Sequence, residues 1–505
     1  TQAPRASPRL RAPIDEEIHG SMISLAFSQW GWVTFLVVEQ LLVFVAIGLV
    51  LRRPGEPRSM LAWILTLQLL PVLGLLFFVM FGEPRKEWHR MLRRRRRRHI
   101  ESARARERRM VEETEGIPSV QDPAVRSLTL TITRLAGYPP TGGNRIDVFQ
   151  ECEATYEALL ESIEKAERFV HLEYYIFEPD ETGKLVRDLL IEKIHQGVEC
   201  RLLLDYIGSF RTSRRFLQPL RDAGGRVEFC LPFRLSSGRW RVNFRNHRKI
   251  AVIDGRVAYT GSQNIGDAYR GRLAYCSPWQ DTVLRIRGPA VHHYQEIFAE
   301  DWHYTTKEDI FNDRYFPEQK PAGDHVIQIV PSGPDQRTKV MHQILFAATN
   351  MARSSLSVIT PYFVPDRAMV IAFQSASYRG VRVRLLIPTR TDEPIVLWAA
   401  RSFYEDLISA GVEIYEIDSV MLHAKVMIVD DTWSMVGSAN MDERSFSLNF
   451  ELTNLLYSPD IIRTLHENFD GLAKQSRRLA LEDVTDPPLG KSLLLGVARL
   501  ASPLL

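Results

Sequence analysis

The sequence predicts an α/β protein built from two duplicated lobes with a site at their interface, preceded by a two-helix transmembrane hairpin. Two long apolar runs lie near the N-terminus, strands and helices then alternate in a pattern that occurs twice, and one polar motif repeats in each copy. The predicted boundaries are an N-terminal extension at 1–29, the hairpin at 30–84, a basic segment at 85–119, lobes at 120–325 and 326–486, and a tail at 487–505.

Composition excludes several classes of protein. With 505 residues, 45% of them hydrophobic and 25% charged, the chain is neither disordered nor a many-span transporter. Between positions 85 and 109 there are thirteen Lys and Arg against three Glu, so this segment carries +10 and the rest of the chain −7. The cysteines are widely spaced, which excludes a disulfide scaffold and a thiolate zinc site and favours a reducing compartment. They are Cys152, Cys200, Cys230 and Cys276.

The two apolar runs predict the hairpin. Val33–Leu51 has nineteen residues and Met60–Phe81 has twenty-two, and about 20 residues are enough for a helix to cross the hydrocarbon core. The intervening residues 52–59 contain two prolines and a glycine, which suits a tight connection. A secretory signal peptide is the alternative for the first run, but its late position and the second run disfavour that interpretation.

The arginines set the expected orientation. The unbroken run Arg93–Arg98 closely follows the second apolar run, whereas the short connection carries only three arginines. The positive-inside rule then places the large C-terminal part, and with two spans also the N-terminus, on the cytoplasmic side of a cell membrane. Such a run contacts anionic headgroups beside a membrane, and nucleic-acid binding is the alternative that we consider less favoured.

The remainder reads as the same α/β pattern twice. The segment RFVHLEYYIFEPD at 168–180 is echoed by SLSVITPYFVPD at 355–366, and GVECRLLLD at 197–205 by GVRVRLLIP at 380–388. Short apolar strands that alternate with helices predict a largely buried sheet in each lobe. The repeat is too long for a solenoid unit, so we expect two similar lobes with a site at their seam.

One motif, H-x-K-x4-D-x6-G-S-x-N, occurs once in each copy with identical spacing. Six positions that match twice make coincidence negligible, although a single H-x-K would carry no information. The first copy provides His247, Lys249, Asp254, Ser262 and Asn264, and the second provides His423, Lys425, Asp430, Ser438 and Asn440.

The spacing indicates what each motif offers. His and Lys two positions apart on a strand point to the same face, and the turn at Asp254-Gly255 returns the chain so that Ser262 and Asn264 come back beside His247. Across the seam, two such patches form a pocket with two ammonium charges and several neutral donors. That pocket suits a tetrahedral phosphate diester.

Two histidines can divide the reaction between them. One must be neutral to attack phosphorus, and the other must be protonated to release the alcohol. An acid on the far ring nitrogen would orient each ring, and the candidates are Asp281 and Glu451, 34 and 28 residues after the histidine of their own copy. For Asp254 and Asp430 both a direct role and a brace of the turn stay open. No cluster with metal-ligand spacing accompanies the motif, so we expect neither a metal nor a cofactor.

These residues resemble the phospholipase D superfamily, whose mark is the paired H-x-K-x4-D motif. The resemblance implies two phospholipase D-like α/β lobes with the motifs meeting at their interface. Within that superfamily the chain is similar to the bacterial cardiolipin synthases with two membrane spans. The supporting segments, besides the hairpin, are Trp63–Gly82, Glu173–Phe177, Thr360–Asp366 and, more weakly, Ser502–Leu505.

The resemblance implies a phosphatidyltransferase of the bacterial inner membrane that joins two phosphatidylglycerol molecules into cardiolipin and releases glycerol. His247 would form a phosphohistidine, and His423 would act as acid and then as base. The implied partners are phosphatidylglycerol, other anionic phospholipids and the bilayer, with no nucleic acid. The alternatives are a phospholipase D hydrolase, a transferase that uses serine or phosphatidylethanolamine, a nuclease, and a membrane scaffold.

Three questions stay open in the sequence. The motif does not fix which histidine is the nucleophile. The oligomeric state is undetermined, with a homo-oligomer among the options. The leucine-rich stretch Leu489–Leu505 is either an amphipathic segment on the membrane surface or a helix packed on the second lobe.

Overall fold

The structure, a computed structural model, describes residues 15–52, 57–81, 122–232, 243–336 and 338–502. The basic segment predicted at 85–119 lies outside the described residues. The chain divides into two compact units, one formed mainly by residues 1–84 and the other by residues 85–239 and 243–505.

The N-terminal unit consists of apolar helices. They are α1 (Asp15–Leu51), α2 (Pro57–Leu69) and α3 (Pro71–Phe81). Within α1, the 22 residues Trp30–Leu51 are long and apolar enough to cross a membrane. The predicted second span is not one helix: it breaks before Pro71, whose ring cannot continue a helix but suits the first position of the next one. The hairpin prediction is therefore confirmed for its first helix only.

The first lobe of the second unit contains a seven-stranded sheet in the order β1-β8-β7-β6-β2-β3-β4. The β2-β3 and β3-β4 pairs are parallel and the others are antiparallel. Its elements are α4 (Pro123–Ala136), β1 (Thr141–Glu151), α5 (Cys152–Glu164), β2 (Phe169–Tyr174), α6 (Glu181–His195), β3 (Glu199–Asp205), α7 (Arg214–Asp222), β4 (Arg226–Cys230), β5 (Arg245–Asn246), β6 (Ile250–Ile253), β7 (Val257–Gly261), β8 (Trp279–Arg287) and α8 (Val291–Thr306).

The second lobe repeats this order as β9-β18-β16-β15-β10-β12-β13. Its elements are β9 (His325–Ser332), α9 (Val340–Met351), β10 (Ser355–Ile359), β11 (Phe363–Val364), α10 (Arg367–Tyr378), β12 (Arg382–Pro388), α11 (Pro394–Arg401), α12 (Tyr404–Ile408), β13 (Glu413–Ile417), β14 (Met421–Leu422), β15 (Val426–Val429), β16 (Trp433–Gly437), β17 (Met441–Asp442), α13 (Glu443–Ser447), β18 (Asn449–Leu456), α14 (Pro459–Lys474), β19 (Arg477–Arg478) and α15 (Leu489–Ala501). The predicted duplicated α/β fold is confirmed.

Helix α4 precedes the first lobe in the chain but packs on the second lobe. Its apolar positions Val125, Leu128 and Ile132 are buried in one core with β9 and α9 of the second lobe. The amphipathic spacing of these residues explains the packing, because positions i, i+3 and i+7 share one helix face. The structure thus places residues 123–136 with the second lobe, within the range assigned to the first from the sequence.

Strands cross between the lobes beside both motifs. β1 pairs with β9, which joins the two sheets. β5 of the first lobe pairs with β18 of the second, and β14 of the second lobe pairs with β8 of the first. Each short strand that leads into a motif histidine is therefore held by the opposite lobe, which brings the two motifs together.

Candidate active site

The backbone at each histidine is bonded to the opposite lobe. The N–H of His247, directly after β5, donates to the carbonyl of Phe450 at 2.9 Å. The N–H of His423, directly after β14, donates to the carbonyl of Gln280 at 2.8 Å. The same crossing therefore occurs at both motifs and fixes both rings at the seam.

The side chains cross in the same way. Nδ1 of His247 lies 2.9 Å from Oε2 of Glu451, and Nδ1 of His423 lies 2.9 Å from Oδ1 of Asp281. The predicted pairing of each acid with the histidine of its own copy is therefore wrong. Strand exchange at the seam is the reason, since each histidine faces the strand β8 or β18 of the other lobe.

Both carboxylates are fully buried and held as acceptors. Ser438 donates its hydroxyl to Glu451, and Ser445 Oγ and Asn449 Nδ2 each lie 3.1 Å from its other oxygen. Trp279 Nε1 donates to Asp281 at 2.6 Å. Burial alone would raise the pKa of each acid, but the adjacent histidine and lysine outweigh it and hold both pKa values below the ordinary range.

An ionised carboxylate only accepts hydrogen bonds, so the Nδ1 atom of each histidine carries the proton. Burial lowers the pKa of His247 to about 4 and lowers that of His423 as well. Both rings are therefore neutral at neutral pH. Nε2 of each ring then has a lone pair and is the atom left for chemistry.

The two motif lysines are buried against their own histidines. Nζ of Lys249 donates to the carbonyl of His247 at 2.8 Å, and Nζ of Lys425 donates to that of His423 at 2.5 Å. Burial lowers the pKa of both amines, that of Lys425 to about 8. Each ammonium also lowers the pKa of the opposite histidine, so the charges of both motifs act on one place.

The predicted supporting residues line the same region. The Ser262 hydroxyl accepts the N–H of Thr282 at 3.1 Å, which fixes β8 beside Asp281. Oδ1 of Asn264 accepts the N–H of Ile176 at 3.2 Å, whereas the Asn440 side-chain oxygen is buried and has no hydrogen-bond partner in the described part of the chain. The Asn440 oxygen is thus an acceptor that a substrate hydroxyl could satisfy.

Asp254 and Asp430 occupy the far ends of the hairpin strands that begin beside the histidines. Asp254 accepts the N–H groups of residues 167, 168 and 169 at 2.8 Å each, and Asp430 accepts those of residues 353–355. Both have positive φ, 54° and 50°, as the turn residue of a tight hairpin requires. Their carboxylates therefore bind the backbone at the start of the neighbouring strands β2 and β10, away from the histidines.

Aromatic rings that the motif did not predict surround the histidines. Tyr175 packs edge-on to His247 with ring centroids 4.8 Å apart, and Trp279 lies 5.3 Å from His423. Tyr269 lies farther from His423, at 6.5 Å. Trp279 could have been found, because it stands two positions before Asp281 on the same face of β8. For Tyr175 the sequence carried no comparable signal.

Two lobes of one strand order, each with an H-x-K-x4-D motif at the seam, define a protein of the phospholipase D type. The family described as "Cardiolipin synthase, PLD-like domain" matches residues 159–302 and 345–473, more than half of the chain, and the chain belongs to this family. The predicted family is thereby confirmed.

Relatives of known name extend the match along almost the whole chain. A cardiolipin synthase of Geobacillus kaustophilus is 37% identical over 92% of this chain and 92% of its own length, and that of Geobacillus thermodenitrificans is 36% identical over 97% and 98%. A solved phosphatidylserine synthase of Haemophilus influenzae superposes with a TM-score of 0.56 at 13% identity and covers 75% of this chain and 99% of its own. At that identity the likeness concerns the fold. The predicted class of enzyme, a phosphatidyltransferase, is supported by the relatives and the family together.

Proposed function

We propose that this protein is a cardiolipin synthase that transfers a phosphatidyl group from one phosphatidylglycerol to another. The observation that carries the proposal is the pair of crossed hydrogen bonds, His247–Glu451 and His423–Asp281, with two buried lysines beside them. Such a site offers two imidazoles and two cations to one phosphodiester. The named relatives that match over the whole chain support the choice of lipid.

In the first step Nε2 of His247 attacks phosphorus and the bond from phosphorus to the glycerol oxygen breaks. His423 gives a proton to that oxygen, and glycerol leaves. His423 takes up this proton when the substrate binds, because the phosphate anion stabilises the charged ring against the burial and the two lysine charges that otherwise keep it neutral. The product is a phosphatidyl group on His247.

In the second step His423, now neutral, accepts a proton from the glycerol headgroup of a second phosphatidylglycerol. The headgroup oxygen attacks phosphorus, the bond between phosphorus and Nε2 breaks, and cardiolipin leaves. Glu451 stabilises the charge that develops on His247, and the two ammonium groups stabilise the phosphoryl oxygens. In this scheme Asp254 and Asp430 brace the hairpins and take no part in bond breaking.

The membrane location belongs to the same proposal. Trp30–Leu51 and the broken second run would form a hairpin that leaves the catalytic unit on the cytoplasmic side of the bacterial inner membrane. Helix α15 adds a surface for the lipid. Its residues Leu489, Leu493, Val497 and Leu500 share one helix face and are 78%, 63%, 63% and 83% exposed.

Helix α15 packs on the second lobe through α11 and Arg499. Arg499 holds α15 to the second lobe, since Nη1 donates to the carbonyl of Ser402 at 2.9 Å and Nη2 lies 3.0 Å from Asp406. Helix α11, on which α15 packs, begins two residues after Asp392, whose charge raises the pKa of Lys425. We propose that a bilayer covers the leucine face and presents headgroups to the second lobe.

Product analysis from defined lipids tests the function. Purified full-length protein in micelles of phosphatidylglycerol should release one glycerol for each cardiolipin formed. Phosphatidic acid as the main product would indicate a hydrolase, and product formed only with serine or phosphatidylethanolamine would indicate another transferase. In a His423→Ala variant, mass spectrometry should find acid-labile phosphate on His247, and label on His423 in a His247→Ala variant instead would reverse the two roles.

A further inference from the structure

The near-symmetry of the two motifs fails at two charged positions. Arg245 stands two residues before His247, whereas Met421 stands two residues before His423. Arg444 stands four residues after Asn440, whereas Ala268 stands four residues after Asn264. Because the lobes exchange strands, Arg245 and Arg444 both belong to the half of the site that contains His247 and Glu451. The other half has apolar side chains at the equivalent positions.

Arg245 is buried next to the histidine with a donor to spare. Its side chain leaves β5 opposite Asn449, the residue that donates to Glu451. Nη1 donates to the carbonyl of Phe244 at 2.7 Å, but Nη2 is buried and lacks a hydrogen-bond partner within the described residues. A buried N–H of a cation is costly unless some acceptor meets it, and a ligand can supply that acceptor.

Arg444 reaches the same short segment from the second lobe. Its Nη2 donates to the carbonyl of Asn243 at 3.0 Å, two residues before Arg245, and the next residue, Ser445, holds Glu451. Burial lowers the pKa of Arg245, and the charge of Arg444 lowers it further. Two guanidinium groups thus act on one place beside Tyr175, which packs against His247.

A buried acid whose charge acts on Arg245 does not satisfy its free donor. Asp205 is fully buried and its charge acts on Arg245, but its oxygens accept the N–H groups of Ile207, Gly208 and Asn246 at 3.0, 2.8 and 2.9 Å. Asp205 is committed to three backbone donors and leaves the buried Nη2 of Arg245 without an acceptor among the described residues. The place is therefore suited to a second anion.

We propose that Arg245 and Arg444 bind the phosphate of the acceptor lipid, the second phosphatidylglycerol. The inference rests on the proposed function and names the acceptor as an anionic phospholipid. The donor has a single phosphate, which the histidines and lysines hold, and the departing glycerol has none. The acceptor brings a second phosphate, one glycerol bridge from the first. Arg245 and His247 are two positions apart, and side chains with this spacing on an extended chain are separated by roughly 7 Å. This separation is comparable to the distance between two phosphates joined by one glycerol.

The test compares an acceptor with a phosphate to one without. In the exchange of radiolabelled glycerol into phosphatidylglycerol, the same phosphatidyl-enzyme reacts with free glycerol, which has no phosphate. In cardiolipin formation it reacts with a second phosphatidylglycerol, which has one. In Arg245→Gln and in Arg444→Gln, the ratio of cardiolipin formation to glycerol exchange should fall about tenfold or more, because each variant loses a charge-assisted hydrogen bond to the acceptor. Arg444→Lys should recover part of the ratio, because it keeps the charge and the half-buried site tolerates a shorter side chain.

Arg384→Gln is the matched control, a partly buried arginine of the second lobe paired with Asp470 at 2.6 Å, and its ratio should equal that of the unmodified protein. Thermal melting of each variant shows whether it is folded. Equal loss of both rates in folded Arg245→Gln and Arg444→Gln would overturn the proposal, as would an unaltered ratio. If the unmodified protein neither exchanges glycerol nor forms cardiolipin, the proposed function itself fails, and this outcome is distinct from a change of ratio among active proteins.

Discussion

His247 and Glu451 are 204 positions apart in the chain, yet Nδ1 of the one lies 2.9 Å from Oε2 of the other. The equivalent pair, His423 and Asp281, crosses the seam in the opposite direction at the same distance. Each histidine thus depends on the other lobe for its tautomer and its orientation. Neither lobe can assemble a complete site alone, because each lobe supplies the acid that orients the histidine of the other.

The crossed pairs predict how the acids act. Glu451→Gln keeps the shape of the side chain but removes the charge that fixes and stabilises the His247 ring. By analogy with the loss of an orienting carboxylate elsewhere, kcat should fall about 10³- to 10⁴-fold. Cardiolipin formation in micelles measures the loss, and Asp418→Asn, which changes an exposed acid paired with Arg390, should retain full activity.

Phosphohistidine distinguishes the two acids. If Glu451 serves His247, Glu451→Gln should form little phosphatidyl-enzyme, whereas Asp281→Asn should accumulate it when no good acceptor is supplied. The reason is that Asp281 supports the acid and base, and a variant with a weak base resolves the intermediate slowly. Accumulation in Glu451→Gln instead would show that the acids serve the opposite roles.

The pH dependence follows from burial. Because burial lowers the pKa of His247 to about 4, the ring stays neutral and nucleophilic as the pH falls through the range where an ordinary histidine becomes charged. On the acid side kcat/KM should therefore hold until the pH approaches 4. On the alkaline side it should begin to fall above the lowered pKa of His423, because kcat/KM refers to the free enzyme, in which His423 must still gain its proton. It should fall further above about pH 8, where Lys425 loses its proton. An acid limb centred near the ordinary pKa of histidine would contradict the buried, neutral nucleophile, and circular dichroism at each pH checks that the protein is folded.

The two motif aspartates should affect stability more than chemistry. Asp254→Ala removes the acceptor of three backbone N–H groups and puts alanine at a φ of 54°. The free energy of unfolding should therefore fall by about 2 kcal/mol or more. Asp254→Asn should cost less, because asparagine tolerates this conformation. Urea denaturation measures both. A folded Asp254→Asn protein with no activity would show that the carboxylate has a chemical role.

Asp430 offers a pH test of the same role. Hydrogen bonds from residues 353–355 hold its pKa below the ordinary value even though burial would raise it. The stability that it contributes is therefore present above the ordinary pKa of an aspartate and is lost as the pH falls through the lowered one. The stability difference between the unmodified protein and Asp430→Asn should accordingly be full at pH 7 and shrink in strong acid. A constant difference would exclude the charged hydrogen bonds as its cause.

The sequence was sufficient for the fold because the duplication repeats strand order as well as residues. The turn at Asp254-Gly255 and the return of Ser262 to the site also follow from local patterns, and the structure has both. The pairing of the acids did not follow, because sequence spacing cannot reveal that β5 and β14 are exchanged between lobes. A two-residue strand carries too little pattern to predict its partner.

The break in the second apolar run was also not predicted. Hydropathy counts apolar residues and treats Pro71 as one interruption in a span, whereas the missing N–H and the rigid ring end one helix and start another. The charged half of the site around Arg245 and Arg444 was not predicted from the sequence either, for a different reason. A repeated motif reveals only positions that match between the copies, and these two positions carry information because they differ.

The leucine face of α15 provides the last prediction. A cysteine introduced at Leu493 can be labelled selectively, because all four native cysteines are buried. A polarity-sensitive dye at this position in the full-length protein should shift to shorter wavelength in phosphatidylglycerol vesicles and be quenched by lipid-borne spin labels. A dye at Asp324→Cys, whose side chain is fully exposed and polar, should do neither.

Activity should respond in parallel. Leu493→Asp combined with Val497→Asp places charges on the face proposed to enter the lipid, which costs the apolar burial of both side chains and adds the desolvation of two carboxylates. Cardiolipin formation should fall severalfold on vesicles and much less in detergent micelles, where the substrate reaches the site without a flat bilayer. If the loss is equal in both, or if the dye at position 493 does not respond to vesicles, the leucine face has another partner and the bilayer is not what covers it.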